Sequence, residues 1–383
     1  MADQILTHAH IVLPDRELEG SVAVENGRIS DISSRQYAAG IDLHGALLVP
    51  GVIDIHTDYL EREISPRPSA QFPLEMALHV MDLRALSCGL TTVLSAARVS
   101  EEKEGAVGSW HGDGLELARQ YESLIPRMRA RHLIHVRWDT NFPSVDRALK
   151  ELLQLHSIGN LVYNDSTPGE RQYRRDVENI IQRRAERLGV SVEQARAEIE
   201  ERRERAKRTN NRQQVRAAIA GGIPLGSHDD TTVEHVVEAH EAGATLSEMP
   251  CTIEAARKAR ELGMMICMGA PNYFRGSSHC GNLSCHEALA EDLVDILCSD
   301  YHFPSLLAAA IRLMRGGIPI SRAMSYLALN PARHLGKDKE LGSIEVGKRA
   351  DLVAFHPRED HADVLRVWVE GNLRFSVPPS TSD

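Results

Sequence analysis

Eight short apolar runs recur along the middle of the chain, at residues 52–56, 91–95, 132–137, 161–164, 223–227, 244–248, 264–269 and 294–299. Stretches with helical patterning lie between them. Strand-like runs alternating with helices predict βα units and a parallel sheet. Eight is the number that closes a (β/α)8 barrel, a fold that often takes about 250 residues as one domain. Such a barrel places its chemistry at the C-terminal ends of its strands, so the last residues of each run carry the functional information.

Those residues are polar in a recurrent way. The first run, Val49-Pro50-Gly51-Val52-Ile53-Asp54-Ile55, ends in His56-Thr57-Asp58. Alternate side chains of a strand share a face, so His56 and Asp58 project to one side about 6 to 7 Å apart along the chain. That spacing lets an imidazole and a carboxylate share a metal; taken alone, a solvated polar strand end explains the stretch as well. Later runs repeat the pattern: His135-Val136-Arg137-Trp138-Asp139, Asn164-Asp165-Ser166, Ser227-His228-Asp229-Asp230, Glu248, and Ser299-Asp300-Tyr301-His302. A core-only account has no need for carboxylates and imidazoles at corresponding ends.

The two ends of the chain are β-like. Asn26-Gly27 between β-type runs signals a hairpin, and so does the turn around Glu370-Gly371-Asn372 between Val367-Trp368-Val369 and Leu373-Arg374-Phe375. Neither piece suffices for a stable sheet alone. The expectation is a composite β-sandwich domain from residues 1–50 and 340–383, with the (β/α)8 TIM barrel over 51–339. Residues 169–212 interrupt the barrel pattern with dense Arg and Glu. They read as two long solvated helices, with Ser191 and Gln194 as a capping box at the second start. A charged surface hairpin is the simpler account of this insertion, with a lid or a dimer contact as the alternative.

The formal net charge is −10, against the basic footprint of general nucleic-acid binding, though compatible with a local basic pocket. The six cysteines form no paired CxxC motifs and read as reduced thiols. No secretory pattern and no membrane-length apolar run is evident, so a cytoplasmic protein is expected.

The strand-end ligands, the barrel and the composite β-domain resemble the amidohydrolase superfamily. Within it, the chain is similar to the triphosphate diphosphatases of phosphonate catabolism. The residues carrying the narrower likeness are His56-Thr57-Asp58 with Glu61 and Pro66-Arg67-Pro68, Thr167-Pro168-Gly169-Glu170-Arg171-Gln172, Ser227-His228-Asp229-Asp230, Met268-Gly269-Ala270-Pro271-Asn272 with Arg275, and Ser299-Asp300-Tyr301. His-Thr-Asp replaces the usual His-x-His of the superfamily. Two positions depart from the narrower group: Ser166 stands where its members have His, and Asp139 where they have Glu.

The resemblance implies a metal-dependent hydrolase that releases diphosphate from a ribose 5-triphosphate carrying a 1-phosphonate. It implies a divalent cofactor, zinc above manganese or iron, in a mono- or binuclear centre, and a homo-oligomer. It further implies that His56 and Asp58 bind one metal, His228 a second, and that Asp139 bridges. Glu248 stands at a position where many relatives have His. Asp300 would bind metal and take the proton from the attacking water. Phosphate calls for arginine, whose planar fork matches phosphate oxygens. Arg62, Arg67, Arg137, Arg171 and Arg275 lie in loops or strand ends on the expected active face, and each is as compatible with a surface salt bridge. His135 reads as a packed or supporting histidine. A hydrolase of cyclic amides or N-acyl substrates on the same scaffold remains the alternative, since fold does not decide function.

Overall fold

The structure is a computed structural model that describes residues 3–67, 70–99, 114–139, 145–165, 169, 171, 174, 177–208, 221–278 and 280–378. Pro68, Ser166, Thr167, Pro168, Glu170, Gln172 and the last residues of the expected insertion, 209–212, lie outside them. In chain order the strands are β1 (Gln4–Val12), β2 (Glu17–Glu25), β3 (Arg28–Ser33), β4 (Ile41–Asp42), β5 (Leu47–Pro50), β6 (Val52–Thr57), β7 (Leu90–Val99), β8 (Arg131–Asp139), β9 (Ile158–Asn164), β10 (Leu225–His228), β11 (Leu246–Glu248), β12 (Met265–Gly269), β13 (Ile296–Cys298), β14 (Leu352–Pro357), β15 (Ala362–Val369) and β16 (Asn372–Ser376).

The strands outside β6–β13 form one continuous mixed sheet in the order β16-β15-β14-β5-β1-β2-β3, with β4 beside β1. The two chain ends meet where β5 pairs antiparallel with β14, from Leu47 opposite Phe355 to Pro50 opposite Leu352. Both expected hairpin turns form. Asn26 and Gly27 take φ of 52° and 74°, and Glu370 and Gly371 take 51° and 73°. Two successive left-handed residues match the twist of a two-residue hairpin. The two turns also press together: a Cβ on Gly27 would fall 2.7 Å from the Glu370 carbonyl oxygen. Leu6, Ile11, Val24, Leu48, Leu352 and Trp368 form the core of this sheet.

Strands β6 to β13 run side by side in sequence order, each parallel to the next. They occupy the eight runs expected from the sequence. The third extends to Arg131–Asp139 and so carries Asp139 into the strand itself. The cylinder closes just beyond β13. Thr57 bridges Asp300 in parallel, the Asp58 amide donates to the Asp300 carbonyl at 2.6 Å, and the Asp300 amide donates to the His56 carbonyl at 3.1 Å. The contact that closes the barrel is therefore the one that brings Asp300 beside His56 and Asp58.

The strands are buried on both faces, as a parallel sheet under helices requires. Ile53, Ile55, Leu94, Leu246, Ile296 and Cys298 fill the interior, joined by Ala332, Leu335 and Leu341 from the segment after the barrel. Outside, Val93, Val136, Trp138 and Leu161 pack on helical residues such as Leu78, Leu86, Tyr121 and Leu306. Each fully buried aliphatic side chain stabilises by about 1.5–3 kcal/mol relative to an exposed one.

The charged insertion contains helices Val177–Leu188 and Val192–Arg208. Ser191 and Gln194 form the expected capping box: the Ser191 amide donates to Gln194 Oε1 at 2.9 Å and the Gln194 amide to Ser191 Oγ at 3.2 Å. The helices share a small core of Ile181, Ala185, Ala195 and Ile199. Arg196–Glu178 and Arg184–Glu198 pairs bridge them outside. No helix among the described residues is long and apolar enough to cross a membrane.

Candidate metal centre

His56 and Asp58 stand at the end of β6 and in its extension, where a register shift between Asp54 and Thr57 interrupts the alternation of side chains. In parallel register, His228 at the end of β10 lies directly beside Glu248 at the end of β11. The chain turns sharply straight after these strands: Asp229, Met249 and Asp300 have φ of 60°, 54° and 56°. A non-glycine residue in the left-handed region costs on the order of 1–3 kcal/mol. Three at one rim mark a backbone shaped for the site.

The side chains converge. His56 Nδ1 lies 2.9 Å from Glu248 Oε2, and its Nε2 lies 3.7 Å from Asp58 Oδ1. His228 Nε2 is 3.6 Å from Glu248 Oε2. Two triplets each bring one ligand atom per residue within 4.8 Å of the others: His56, His228 and Glu248, and His56, Asp58 and Asp300. The first is wholly buried; the second is shared with the part-exposed rim.

Burial alone pushes Glu248 up, but the facing imidazoles of His56, His135 and His228 outweigh it and hold the carboxyl far below its usual range. Asp58 behaves likewise: burial is outweighed by the Arg137 guanidinium and by His56. Asp300 moves the other way, raised by burial and by the nearby Asp58 carboxylate. Burial and Asp58 raise Glu61 in the same sense. Burial lowers His135 to about 3.

The donor set fits a divalent ion. Among the described residues, His56 Nε2, His228 Nε2, His135 Nε2 and Glu248 Oε1 are buried without a hydrogen-bond partner, while His56 Nδ1 faces Glu248 Oε2 at 2.9 Å and His228 Nδ1 faces Asp229 Oδ2 at 2.8 Å. A buried polar atom left unpaired costs about 1–3 kcal/mol. A cluster of them facing one another is explained by a cation held among them, and imidazole with carboxylate suits zinc, manganese or iron.

Beside this cluster opens a cleft of about 60 Å³. Asp229, Asp300, Arg275, Ser277, Ser278, Asn282 and Tyr301 are among the residues that line it. Arg275 Nη1 lies 3.4 Å from the Tyr301 hydroxyl, which accepts from it. Arg62 stands over the Tyr301 ring, 5.4 Å from its centroid, and donates to the Tyr301 carbonyl at 3.1 Å. Tyr301 thus holds two arginines at the mouth.

The other predicted arginines stand elsewhere. Arg171 is buried and donates to Asp230 Oδ1 at 2.7 Å and to the His228 carbonyl at 2.6 Å. It braces the loop after β10, and its fork is turned to protein, away from the pocket. Arg137 donates to Asp58 Oδ1 at 3.3 Å and so orients a ligand carboxylate. Arg67 is exposed on the loop where its backbone bridges Ala70. Asp139 is buried at the end of β8, 3.1 Å from Arg98 Nη2, and belongs to neither triplet. Its shorter side chain is drawn to the guanidinium on the neighbouring strand.

Some participants escaped sequence reasoning. Arg98 closes β7 and pairs with Asp139; only its place at a strand end hinted at it. Tyr301 follows Asp300 directly, and its adjacency to a ligand was the available signal. Asp230 is fully buried and also accepts from Ser247 Oγ at 2.8 Å, a role that depends on strand pairing invisible in the chain.

Residues 191–374 match the amidohydrolase family. The alpha-D-ribose 1-methylphosphonate 5-triphosphate diphosphatase of Escherichia coli strain K12 is 32% identical over 97% of this chain and 100% of that protein. Among solved structures, the N-acetylglucosamine-6-phosphate deacetylase from Pasteurella multocida superposes with a TM-score of 0.64 at 15% identity, covering 97% of this chain and 99% of that one. A molinate hydrolase superposes with a TM-score of 0.65 at 14% identity, covering 97% and 95%. At such identities the two structures speak for the fold. The family match and the full-length relative lead to one conclusion: the chain belongs to the amidohydrolase family.

Proposed function

We propose that the protein is a metal-dependent phosphoanhydride hydrolase that releases diphosphate from alpha-D-ribose 1-methylphosphonate 5-triphosphate and leaves the 5-phosphate. The observation that carries this reading is the end-to-end similarity to a diphosphatase of that substrate. The pocket supports it, because Asp300 and Arg275 face one space. His56, Asp58, His228, Glu248 and Asp300 would hold the divalent ion, with zinc, manganese and iron all compatible with the donors. When bound, the ion supplies a water acidified towards a pKa of about 7 and a Lewis acid for a phosphoryl oxygen.

The chain's own residues do the rest. Asp300 stands on the pocket wall next to Asp58 and takes the proton of the attacking water. Arg137 holds the Asp58 carboxylate in place. Arg275, steadied by Tyr301, presents a planar fork to phosphate oxygens, with Ser277, Ser278 and Asn282 as further polar contacts. Arg62 adds positive charge from the far side of Tyr301. The anhydride bond between the α- and β-phosphoryl groups breaks, and diphosphate leaves as one unit.

The test is diphosphate release from this substrate by protein stripped with a chelator and reloaded with zinc or manganese. Diphosphate and ribose 5-phosphate phosphonate should form in equal amounts. No release by protein with confirmed bound metal rejects the reading. Turnover of hydantoins, dihydropyrimidines or N-acyl amino acids would point instead to amide hydrolysis.

A further inference from the structure

The two ligand triplets both claim His56. One imidazole between two carboxylate groups serves them unequally, and the distances show how. Two ligand atoms of one tetrahedral zinc, each bound at about 2.0–2.2 Å, stand about 3.3–3.6 Å apart. His56 Nδ1 and Glu248 Oε2 are 2.9 Å apart, too close for two ligands of one tetrahedral zinc. His56 Nε2, by contrast, faces Asp58 at 3.7 Å, on the side of Asp300.

A different imidazole meets the requirement at Glu248. His135 Nε2 lies 3.5 Å from Glu248 Oε2, and His228 Nε2 lies 3.6 Å from the same oxygen. His135 is fully buried in the middle of β8. Its Nδ1 is 2.9 Å from the Ile55 carbonyl oxygen. A carbonyl only accepts, so Nδ1 carries a proton, and in the neutral ring Nε2 keeps its lone pair. The Asn160 amide, 3.3 Å from Nδ1, leaves this unchanged, since turning it round presents a second acceptor. Nε2 makes no hydrogen bond. A bare lone pair is thus aimed at a buried carboxylate oxygen, an arrangement that repels unless a cation lies between. A metal-binding histidine commonly donates its other N–H to a backbone carbonyl, as His135 does.

We propose that His135 is a metal ligand: His135, His228 and Glu248 hold an inner ion, which leaves His56 to serve an outer ion with Asp58 and Asp300. The inference rests on the metal-dependent reading above and deepens it, by adding a ligand from β8.

Zinc alone is the probe. In crystals of the zinc-loaded wild-type protein, an ion should lie about 2.0–2.2 Å from His135 Nε2. In solution, competition with a chromophoric chelator should find two tight zincs per wild-type chain. In His135→Gln one of them should weaken by more than about 100-fold, beyond the 10–100-fold typical of a residue that merely supports a ligand. The other should remain. A loss of 100-fold or less, or a crystal in which Glu248 binds zinc while His135 Nε2 stands clear of it, overturns the inference. If His135→Gln fails to fold, the wild-type crystal decides alone. Diphosphate release by zinc-loaded protein with His135 unengaged defeats this assignment and spares the proposed function, whereas a folded wild-type protein that binds no zinc, manganese or iron defeats both.

Discussion

Replacing Arg171 by Met separates two roles for this residue. As a phosphate ligand, Arg171 would contribute to substrate affinity alone. The structure gives it to the protein: its guanidinium bonds Asp230 Oδ1 at 2.7 Å and the His228 carbonyl at 2.6 Å, with 7% of its surface exposed. Its loss would leave the Asp230 carboxylate fully buried with hydroxyl donors from Ser227 and Ser247 and no counter-charge. Breaking a buried ion pair from one side costs about 3–5 kcal/mol. Unfolding entropy near 2.1 cal/mol/K per residue gives about 0.8 kcal/mol/K for a chain of this length, so the melting temperature should fall by roughly 4–6 °C. His228 would also lose the brace on its carbonyl, and zinc affinity should drop by about 10–100-fold. Thermal denaturation of the metal-stripped protein and chelator competition measure the two effects. Asp230→Asn in the Arg171→Met background should recover part of the stability, because it removes the orphaned charge. An unchanged melting temperature and zinc affinity, with only KM raised, would refute this account and restore Arg171 to the substrate.

Other residues give independent checks. Arg275→Ala should raise KM for the phosphorylated substrate by roughly 10–100-fold, the worth of one charge-assisted hydrogen bond, and leave the number of bound metals unchanged by elemental analysis. Asp300→Asn should lower kcat by at least about 100-fold, the usual span of a general base, with the fold intact by circular dichroism. Away from the site, burial raises the Asp82 carboxyl, but the hydrogen bond from His132 and the amides of Ala130 and Arg129 outweigh it, so its proton affinity in the folded state is lowered. A group with a depressed folded pKa stabilises above its unfolded value, about 3.9, and loses that contribution as pH falls through the folded value. Asp82→Asn should therefore cost about 1–3 kcal/mol in urea titrations at pH 7, hold that gap to about pH 5, and narrow it only below about pH 4; a gap that closes already between pH 7 and 5 would contradict the assignment.

The barrel was legible because its strands are buried on both faces and so appear as near-continuous apolar runs with polar ends. His56, Asp58, His228, Glu248 and Asp300 were legible for a related reason: at such an end, an imidazole or carboxylate has no packing role that an apolar residue would not fill better. The arginines were not, because chemistry alone suits a guanidinium to any anion. Which acceptor it meets depends on partners distant in sequence: Asp230 for Arg171, Asp58 for Arg137, the Tyr301 carbonyl for Arg62. Asp139 illustrates the same limit, since the pairing of β7 with β8 sets Arg98 within its reach. The double claim on His56, and the lone pair of His135 that answers it, depend on distances of a few tenths of an ångström that no spacing along the chain reveals.

The account stands on a cation gripped at the carboxyl-end mouth of the barrel. The most direct measurement is an anomalous-difference map from crystals of the protein soaked in zinc or manganese. Strong peaks bounded by His56, Asp58, His228, Glu248 and Asp300 are expected. Crystals at full metal loading whose peaks avoid these five side chains would contradict it.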